Sequence, residues 1–375
     1  MAAGKPAVLF VLTATGVGGG EKQALDLAWA LERQGWRVSV VSMTPTGVLG
    51  RLAMARGTDV VSLGLRRGVP DPRGAFRLAG IVRRFRPDVV HSHMFHANLL
   101  ARVVRLLVPI PVLICTAHSI DEGGRLRMLL YRLTDRLCNF TTQVSEAGRA
   151  RYLSIGAARE AALTVVPDGI DVAAYRVDAA TRQEVRRREG LDSAFAWIAV
   201  GRLERAKDYP NLLAAFRLVL DAGIGDAALL IVGDGPLRSS LLEQAGRLEL
   251  SRSVRFLGER LDVAHLLCAA DALVLSSAWE GFGLALGEAQ LAGLPVVATD
   301  CGGPREVLAP GAGSLVPPGV PRALAEAMLG VMKASAAARR EMGERGRRHV
   351  ASRFSLERIV EQWCALYTKE IAAQR

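Results

Sequence analysis

Two carboxylates stand in one glycine-rich stretch and are candidates for binding a ligand that carries hydroxyl groups. Glu280 and Glu288 have seven residues between them in the segment EGFGLALGEA. The segment follows an apolar run, and its glycines predict a loop that leads at about Gly283 into a helix ended by Gly293. Glu288 then lies among apolar residues, where a carboxylate needs donors such as two adjacent hydroxyls of a ribose or another sugar. A surface glutamate beside a salt-bridged one is the alternative interpretation.

Three cations follow another apolar run, in the segment GRLERAKDYPN of residues 201–211. Arg202, Arg205 and Lys207 would stand in a loop at the carboxyl end of a strand. Arginine binds oxygen atoms in pairs and lysine acts as a point charge, so this loop suits a diphosphate. A solvated charged loop is the alternative.

Glycines open two further loops. In residues 16–21, GVGGGE, three consecutive glycines (Gly18, Gly19 and Gly20) would let an anionic ligand approach the start of a helix. The dinucleotide-binding fingerprint fails there, because Glu21 occupies the place of its third glycine. Gly233 and Gly235 open a similar turn after a later apolar run. Ordinary tight turns are the alternative at both places.

Four histidines follow two other apolar runs. His91, His93 and His96 come after one run, and His118 ends the other. A metal site is one interpretation, but no further ligand at an established spacing accompanies them. Hydrogen-bonding histidines that line a cleft and plain structural histidines are the other two interpretations. His118 is the strongest functional candidate, because it ends a strand.

The elements that position these residues follow from the alternation of short and long segments. Eleven short apolar or β-branched runs alternate with amphipathic stretches, which predicts parallel sheets with helices on both faces. The segment PDGID at residues 167–171 divides the runs into two groups. We therefore expect an α/β protein with two doubly wound, Rossmann-like domains facing each other across a cleft. Ligands bind such sheets at the carboxyl ends of the strands, where all the motifs above fall.

Composition limits the class of protein. Of the 375 residues, 50% are hydrophobic and 23% are charged, which supports a sizeable core. No run is apolar and long enough to cross a membrane, and the N-terminal residues lack the features of an export signal. The five widely spaced cysteines suit a reducing compartment, so we expect a cytoplasmic protein.

The positive charge is concentrated in the first half of the chain. Residues 1–170 carry 22 Lys/Arg against 12 Asp/Glu, whereas residues 171–375 carry 26 against 25. Such an excess suits nucleic acid, anionic lipid or an anionic substrate. Aromatic residues make up only 5% of the chain, which argues against base-stacking platforms for nucleic acid.

One segment of this basic half has the pattern of an interfacial helix. In residues 124–137 the leucines at 126, 130, 133 and 137 form a stripe that is edged by the arginines at 125, 127, 132 and 136. This pattern predicts docking on an anionic membrane surface. A helix that faces the core and has a solvated basic rim is the alternative.

Taken in order, these motifs resemble those of the retaining glycosyltransferases of family 4, also called glycosyl transferases group 1, and the resemblance covers nearly the whole chain. It is carried by the Glu-x7-Glu pattern, by Gly-Arg-Leu followed by Lys207, and by the segment ending in Thr-Ala-His118. It implies the GT-B fold. The implied domains are an acceptor-binding domain over 1–168, a donor-binding domain over 169–354 and a helix over 355–375 that crosses back to the first domain. One departure is Asp168, which stands where the family usually has Asn.

The resemblance also implies roles for the residues. Arg202 and Lys207 would hold the donor diphosphate, Glu280 would contact the transferred sugar, and His118 would lie near its reacting face. Glu288 would bind the ribose. The remaining donor contacts would come from loop glycines and from backbone amides, at Gly18, Gly19, Gly20, Gly233, Gly235, Phe282, Gly283 and Leu284.

The implied reaction is transfer of a sugar, with retention, from a nucleotide sugar to a hydroxyl of a glycan or lipid-linked acceptor, in cell-surface polysaccharide synthesis. UDP is the expected nucleotide, and no metal cofactor is expected, because the cations neutralise the diphosphate and the chain has no Asp-x-Asp. The protein is expected to be cytoplasmic, with peripheral attachment to the inner face of the membrane as one possibility. A nucleotide-sugar epimerase, a glycan phosphorylase and a non-enzymatic binder of nucleic acid or membranes are the alternatives.

Overall fold

The computed structural model describes residues 5–66, 68–69, 71–176, 178–191 and 193–374. The chain divides into two compact units, one formed by Met1–Gly169 with Leu356–Arg375 and the other by Ile170–Ser355. Each unit is built on one sheet with helices, and every strand pair in both sheets is parallel. The predicted α/β class is therefore confirmed. The assignment of the acceptor to one unit and the donor to the other stays a prediction.

The first unit has seven strands in its described residues. They are β1 (Ala7–Leu12), β2 (Arg37–Ser42), β3 (Asp59–Ser62), β4 (Val89–His93), β5 (Val112–Ala117), β6 (Phe140–Gln143) and β7 (Leu163–Val165). The helices between them are α1 (Gly19–Arg33), α2 (Val48–Ala55), α3 (Arg73–Phe85), α4 (Phe95–Val104), α5 (Arg125–Thr134) and α6 (Glu146–Ser154). The order in the sheet is β3-β2-β1-β4-β5-β6-β7. Strand β1 is buried along its whole length, because helices cover both faces of the sheet.

The second unit begins with α7 (Ala179–Arg188) and has six strands in its described residues: β8 (Phe195–Val200), β9 (Ala227–Val232), β10 (Val254–Gly258), β11 (Ala272–Leu275), β12 (Val296–Thr299) and β13 (Gly313–Val316). Its other helices are α8 (Tyr209–Asp221), α9 (Arg238–Arg247), α10 (Val263–Ala269), α11 (Leu284–Leu291), α12 (Pro304–Val307), α13 (Pro321–Lys333) and α14 (Ala336–Arg353). The strand order is β10-β9-β8-β11-β12-β13. In both sheets the order reverses beside the first strand, which is where ligands bind in doubly wound folds.

The last helix, α15 (Leu356–Gln374), belongs to the first unit although it follows the second in the chain. Its buried residues Ile359, Trp363 and Tyr367 share one core with Phe10 of β1 and Leu31 of α1. The chain therefore returns to its first unit at the C-terminal end, and this helix covers one face of the first sheet.

Two of the thirteen strands in the described residues, β3 and β13, do not correspond to any of the eleven predicted runs. Strands β3 and β13 each have only four residues and lie at the outer edge of their sheets. Their sequences, DVVS and GSLV, mix polar and apolar residues, and each strand is only partly buried in the structure. Their pairing depends on the neighbouring strand, which no local pattern records.

Candidate active site

The carboxyl ends of β4 and β5 bring two histidines together in the first unit. Nδ1 of His93, the last residue of β4, lies 2.9 Å from Nε2 of His118, which directly follows β5. On its other side, Nδ1 of His118 lies 3.5 Å from Oδ1 of Asp168, which follows β7. His118 and Asp168 expose only 11% and 9% of their side chains. The imidazole is thus held between a second imidazole and a carboxylate.

The surroundings of His118 favour its charged form. Burial opposes protonation, but the carboxylates of Asp168, Glu122 and Glu21 outweigh it and raise the pKa of His118. Glu122 also accepts a hydrogen bond from the backbone amide of His118, at 3.2 Å. Burial lowers the pKa of His93, as do its histidine neighbours. Of this pair, His118 is therefore the imidazole that is more readily protonated.

The other histidines of the predicted group have different surroundings. His91 is fully buried and hydrogen-bonds to Tyr367 of α15 and Thr116 of β5, at 2.6 and 2.7 Å, so it is a structural residue. His96 is exposed on α4, with its ring edge-on to Phe95. No group of three metal-binding side chains occurs anywhere in the described ranges.

The glycine-rich loop packs directly against His118. Gly18 caps α1, and Gly19 and Gly20 form the first residues of that helix. A Cβ atom on Gly20 would lie 3.2 Å from two ring atoms of His118, a tighter approach than side chains normally make. The glycines therefore let the start of α1 lie on the imidazole.

In the second unit the loops after β8 and β11 bring the predicted lysine and glutamate together. Nζ of Lys207 lies 2.6 and 2.8 Å from the two carboxylate oxygens of Glu280. The loops are also joined through Ser276, whose hydroxyl donates to the carbonyl of Lys207 at 2.8 Å. Arg202 stands differently: it is 44% exposed, and its guanidinium is 3.5 Å from the carboxylate of Glu204. The structure thus leaves Arg202 reachable from solvent while Lys207 is held by Glu280.

The turn after β9 packs against the loop after β8 at two glycines. A Cβ atom on Gly233 would lie 2.1 Å from the carbonyl oxygen of Gly201, and one on Gly235 would lie 2.5 Å from that of Leu203. Gly233 also has a φ of 133°, which disfavours any side chain. The predicted glycines at 233 and 235 therefore have an observed structural role, which is to let two loops lie in contact. Their predicted contact with a donor stays a prediction.

The loop after β11 presents free backbone amides at the start of α11. Gly283 caps this helix with a φ of 87°, a conformation that glycine adopts without strain. Across the described ranges, the amides of Phe282, Gly283 and Leu284 donate to no protein acceptor. The loop is held in place by Glu280, which pairs through its backbone with Gly302. These amides and the amine of Lys207 lie at the same edge of the sheet.

Glu288 has a partner that the sequence did not indicate. It lies within α11, is 5% exposed, and accepts a hydrogen bond from the hydroxyl of Tyr175 at 2.6 Å. Tyr175 lies in a short 3-10 turn after the segment PDGID. The one available signal was that Tyr175 is the only aromatic residue between 153 and 194, in a mostly polar stretch. The hydroxyl thus helps to compensate the burial of this carboxylate.

Comparison with known proteins gives consistent matches along the chain. A family model described as glycosyl transferases group 1 matches residues 181–349, and one described as glycosyltransferase family 4 matches residues 17–174. The D-inositol 3-phosphate glycosyltransferase of Geodermatophilus obscurus is 33% identical over 315 residues, which is 76% of this chain and 68% of that protein.

Two other relatives match over shorter lengths. The N-acetyl-alpha-D-glucosaminyl L-malate synthase of Bacillus anthracis is 34% identical over 49% of this chain, and the chain spans only 48% of that protein. The UDP-Gal:alpha-D-GlcNAc-diphosphoundecaprenol alpha-1,3-galactosyltransferase of Escherichia coli is 26% identical over 63% of each chain. Among solved structures, Anabaena HepE in complex with UDP-glucose superposes with a TM-score of 0.87 at 21% identity, over 97% of this chain and 99% of that one. At this identity the likeness shows the fold alone.

Proposed function

Because the chain belongs to the group 1 glycosyl transferases and has the GT-B fold, we propose that it transfers a sugar from a nucleotide-sugar donor to a hydroxyl group of an acceptor. The main support for this proposal is one observation on the second unit. The second unit holds Lys207, Glu280 and the free amides at the start of α11 at one edge of its sheet, beside the buried Glu288. This arrangement offers a cation, amide donors and carboxylates to a ligand that has a diphosphate and sugar hydroxyls.

For the donor, we propose that Arg202 and Lys207 bind the diphosphate and stabilise the charge on the departing phosphate. Glu288 binds the ribose hydroxyls and Glu280 contacts the transferred sugar. UDP is the proposed nucleotide, since the relative from Escherichia coli is named for UDP-Gal and the Anabaena structure holds UDP-glucose. In the first unit, His118 contacts the sugar near its reacting face and the glycine-rich loop contacts the phosphate and the acceptor.

For the reaction, we propose transfer with retention of configuration and without a metal. Glu280 is bound to Lys207, and Glu288 is buried against Tyr175, so neither carboxylate is placed as a nucleophile for a double displacement. A same-face route fits this arrangement better. The bond from the anomeric carbon to the phosphate oxygen breaks, the acceptor oxygen bonds to the same face, and the phosphate oxygen takes the proton of the acceptor hydroxyl. Two cations take the charge-neutralising role that a metal would have.

For the acceptor, we propose a glycan or lipid-linked molecule that carries an anionic group, in cell-surface polysaccharide synthesis. Three relatives are named for anionic compounds, which are L-malate, inositol 3-phosphate and a sugar diphosphoundecaprenol, and the last of these is lipid-linked. The excess of cations in residues 1–170 supports an anionic acceptor at the first unit.

The proposal is tested by thermal unfolding in the presence of UDP-glucose, GDP-mannose and ADP-glucose. A ligand at 100 times its dissociation constant stabilises the folded state by about 2.7 kcal/mol. We expect UDP-glucose to raise the melting temperature of the wild type, and Glu288→Gln to weaken this effect. Glu326→Gln is the matched control, because Glu326 is exposed on α13. Stabilisation by none of the nucleotide sugars would contradict the proposal.

We also propose peripheral attachment at the inner face of the cytoplasmic membrane, through α5. In the structure this helix turns Met128 and Tyr131 toward the core, whereas Leu126 and Leu133 are 70% and 69% exposed. Leu129 is 47% exposed as well, so the outward face is apolar. The helix is shorter than the predicted 124–137, and its exposed leucines are not the full predicted stripe, since the leucines at 130 and 137 are partly buried.

Exposed arginines stand beside this apolar face, at 125, 132 and 136. Apolar side chains edged by cations suit the boundary between lipid headgroups and acyl chains. Each cation near an anionic surface adds about 1 kcal/mol of attraction, so three give reversible attachment. Among the described residues, no helix is long and apolar enough to cross a bilayer.

A further inference from the structure

Both ring nitrogens of His118 face groups of the protein. Nε2 lies 2.9 Å from Nδ1 of His93, and the two rings are nearly parallel, with centroids 5.2 Å apart and 22° between their planes. Nδ1 faces the carboxylate of Asp168. While these contacts persist, His118 has no ring nitrogen left to take a proton from a ligand.

The ring of His93 is held by other rings in its turn. It is 1% exposed, stacks on Phe10 with centroids 5.7 Å apart, and lies 4.0 Å from the ring of His91. Its second nitrogen, Nε2, is shielded from solvent and forms no hydrogen bond within the described ranges. Burial lowers the pKa of His93, because a charge there would be poorly solvated. His93 therefore stays neutral and keeps a single ring proton.

The place of that proton depends on the charge of His118. When His118 is charged, its Nε2–H donates to Nδ1 of His93, whose own proton is then on Nε2. When His118 is neutral, Asp168 keeps the remaining proton on Nδ1 of His118, and Nδ1 of His93 becomes the donor. The carboxylates of Glu122 and Glu21 also act on His118 and favour its charged state. His93 thus complements both states of His118 without moving its ring.

The backbone is strained at the residue that follows His93. Met94 has a φ of 71° and a ψ of 158°, a conformation that residues other than glycine almost never adopt. Its amide donates to the carbonyl of Thr116 at 3.0 Å, and its own carbonyl accepts from the amide of Asn98 at 3.0 Å. Such strain persists where the surrounding structure determines the conformation, and it clusters at functional sites. This corner keeps His93 opposite Thr116, two residues before His118.

We propose that His93 is a positioning residue, which fixes the orientation of the His118 ring and is the hydrogen-bond partner of its Nε2 atom in both charge states. The inference rests on the proposed function, since it describes how the imidazole near the transferred sugar is kept in place. With both nitrogens paired, His118 acts through its fixed position and charge, and it is not the base for the acceptor hydroxyl. The proton of that hydroxyl passes to the departing phosphate oxygen.

The first test is NMR of the full chain with isotope-labelled histidine, in which nitrogen–proton couplings show which ring nitrogen carries the proton. We expect His93 to carry its proton on Nε2 at a pH below the pKa of His118 and on Nδ1 at a pH above it, and to stay neutral at both. The spectra of His93→Phe and His118→Gln identify the two residues. A proton of His93 that keeps its place through the titration of His118 overturns the proposal.

The second test separates positioning from packing. His93→Phe keeps a ring in the stack but removes both nitrogens, whereas His93→Asn restores a hydrogen-bonding atom near the place of Nδ1. We expect His93→Phe to lower kcat for release of UDP from UDP-glucose about tenfold, as loss of one hydrogen bond would, with little change in KM. His93→Asn should recover most of the rate. His265→Phe is the matched control, because His265 is exposed on α10 in the second unit.

Melting temperatures show whether the His93 variants are folded. Equal UDP release by the wild type and His93→Phe overturns the proposal, as does a loss in folded His93→Phe that folded His93→Asn does not recover. If His93→Phe does not fold, the place of the His93 proton in the wild type decides. Absence of UDP release from the wild type would refute the proposed donor, and the histidine spectra then decide the role of His93 by themselves.

Discussion

Replacing Asp168 by Asn removes the carboxylate that faces Nδ1 of His118 at 3.5 Å and leaves a side chain of nearly the same shape. An opposite charge at this distance changes a pKa by about one to three units. We expect the lower part of that range for Asp168→Asn, because Glu122 and Glu21 also favour the charged imidazole and remain in place. The pKa of His118 should therefore fall, so that the imidazole loses its proton at a lower pH than in the wild type.

The sign of the stability effect follows from the direction of the pKa change. The pKa of His118 is raised in the folded protein, so its charge stabilises the fold below the unfolded value of about 6.5. That contribution is lost as the pH rises through the folded pKa. Wild type and Asp168→Asn should therefore differ most in free energy of unfolding at mildly acidic pH, by about 1.4 kcal/mol for each unit of pKa lost. The difference should shrink as the solution becomes alkaline.

The assay is titration of the imidazole carbon-bound protons by NMR. The chain has six histidines, and the spectrum of His118→Gln identifies the resonance of His118. Asp171→Asn is the matched control, because it makes the same chemical change three residues away. An unchanged titration of His118 in Asp168→Asn would refute the reasoning, since it would mean that the carboxylate does not hold the proton.

In the second unit, Lys207→Ala and Glu288→Ala should each lower turnover about 30- to 1000-fold while the protein stays folded, as loss of a charged group in such a site costs about 2–4 kcal/mol. Near-normal turnover at saturating donor in either variant would contradict the site, and Lys333→Ala, at an exposed lysine of α13, is the control. Activity should survive EDTA, because Arg202 and Lys207 neutralise the diphosphate; complete loss restored only by magnesium or manganese would overturn that expectation. Pelleting with liposomes should rise with anionic lipid and fall with salt, and changing the arginines at 125, 132 and 136 to serine should weaken it with little change in melting temperature. Indifference of the wild type to anionic liposomes at low salt would remove α5 as a docking surface.

Local patterns in the sequence determine much of the architecture. Apolar runs such as Ala7–Leu12 are buried on both faces, which is the signature of a parallel strand, and amphipathic stretches between them form the covering helices. The glycines around Glu280 also act locally. The residue that caps α11 has a φ of 87°, which glycine adopts without strain, so a glycine at position 283 marks the start of the helix. For this reason the loop and the start of α11 were predictable within one residue.

The partners of the functional side chains were not predictable in this way. Tyr175 hydrogen-bonds to Glu288, which lies 113 residues later in the chain, and Lys207 pairs with Glu280, which lies 73 residues later. His118 meets Asp168 because β5 and β7 end at the same edge of one sheet, with β6 between them. Each of these contacts depends on the order of strands in a sheet, and that order is set by the packing of whole elements. The sequence by itself therefore determined which residues stand at strand ends, whereas the tertiary structure decided which of them touch and which imidazole has its pKa raised by neighbouring carboxylates.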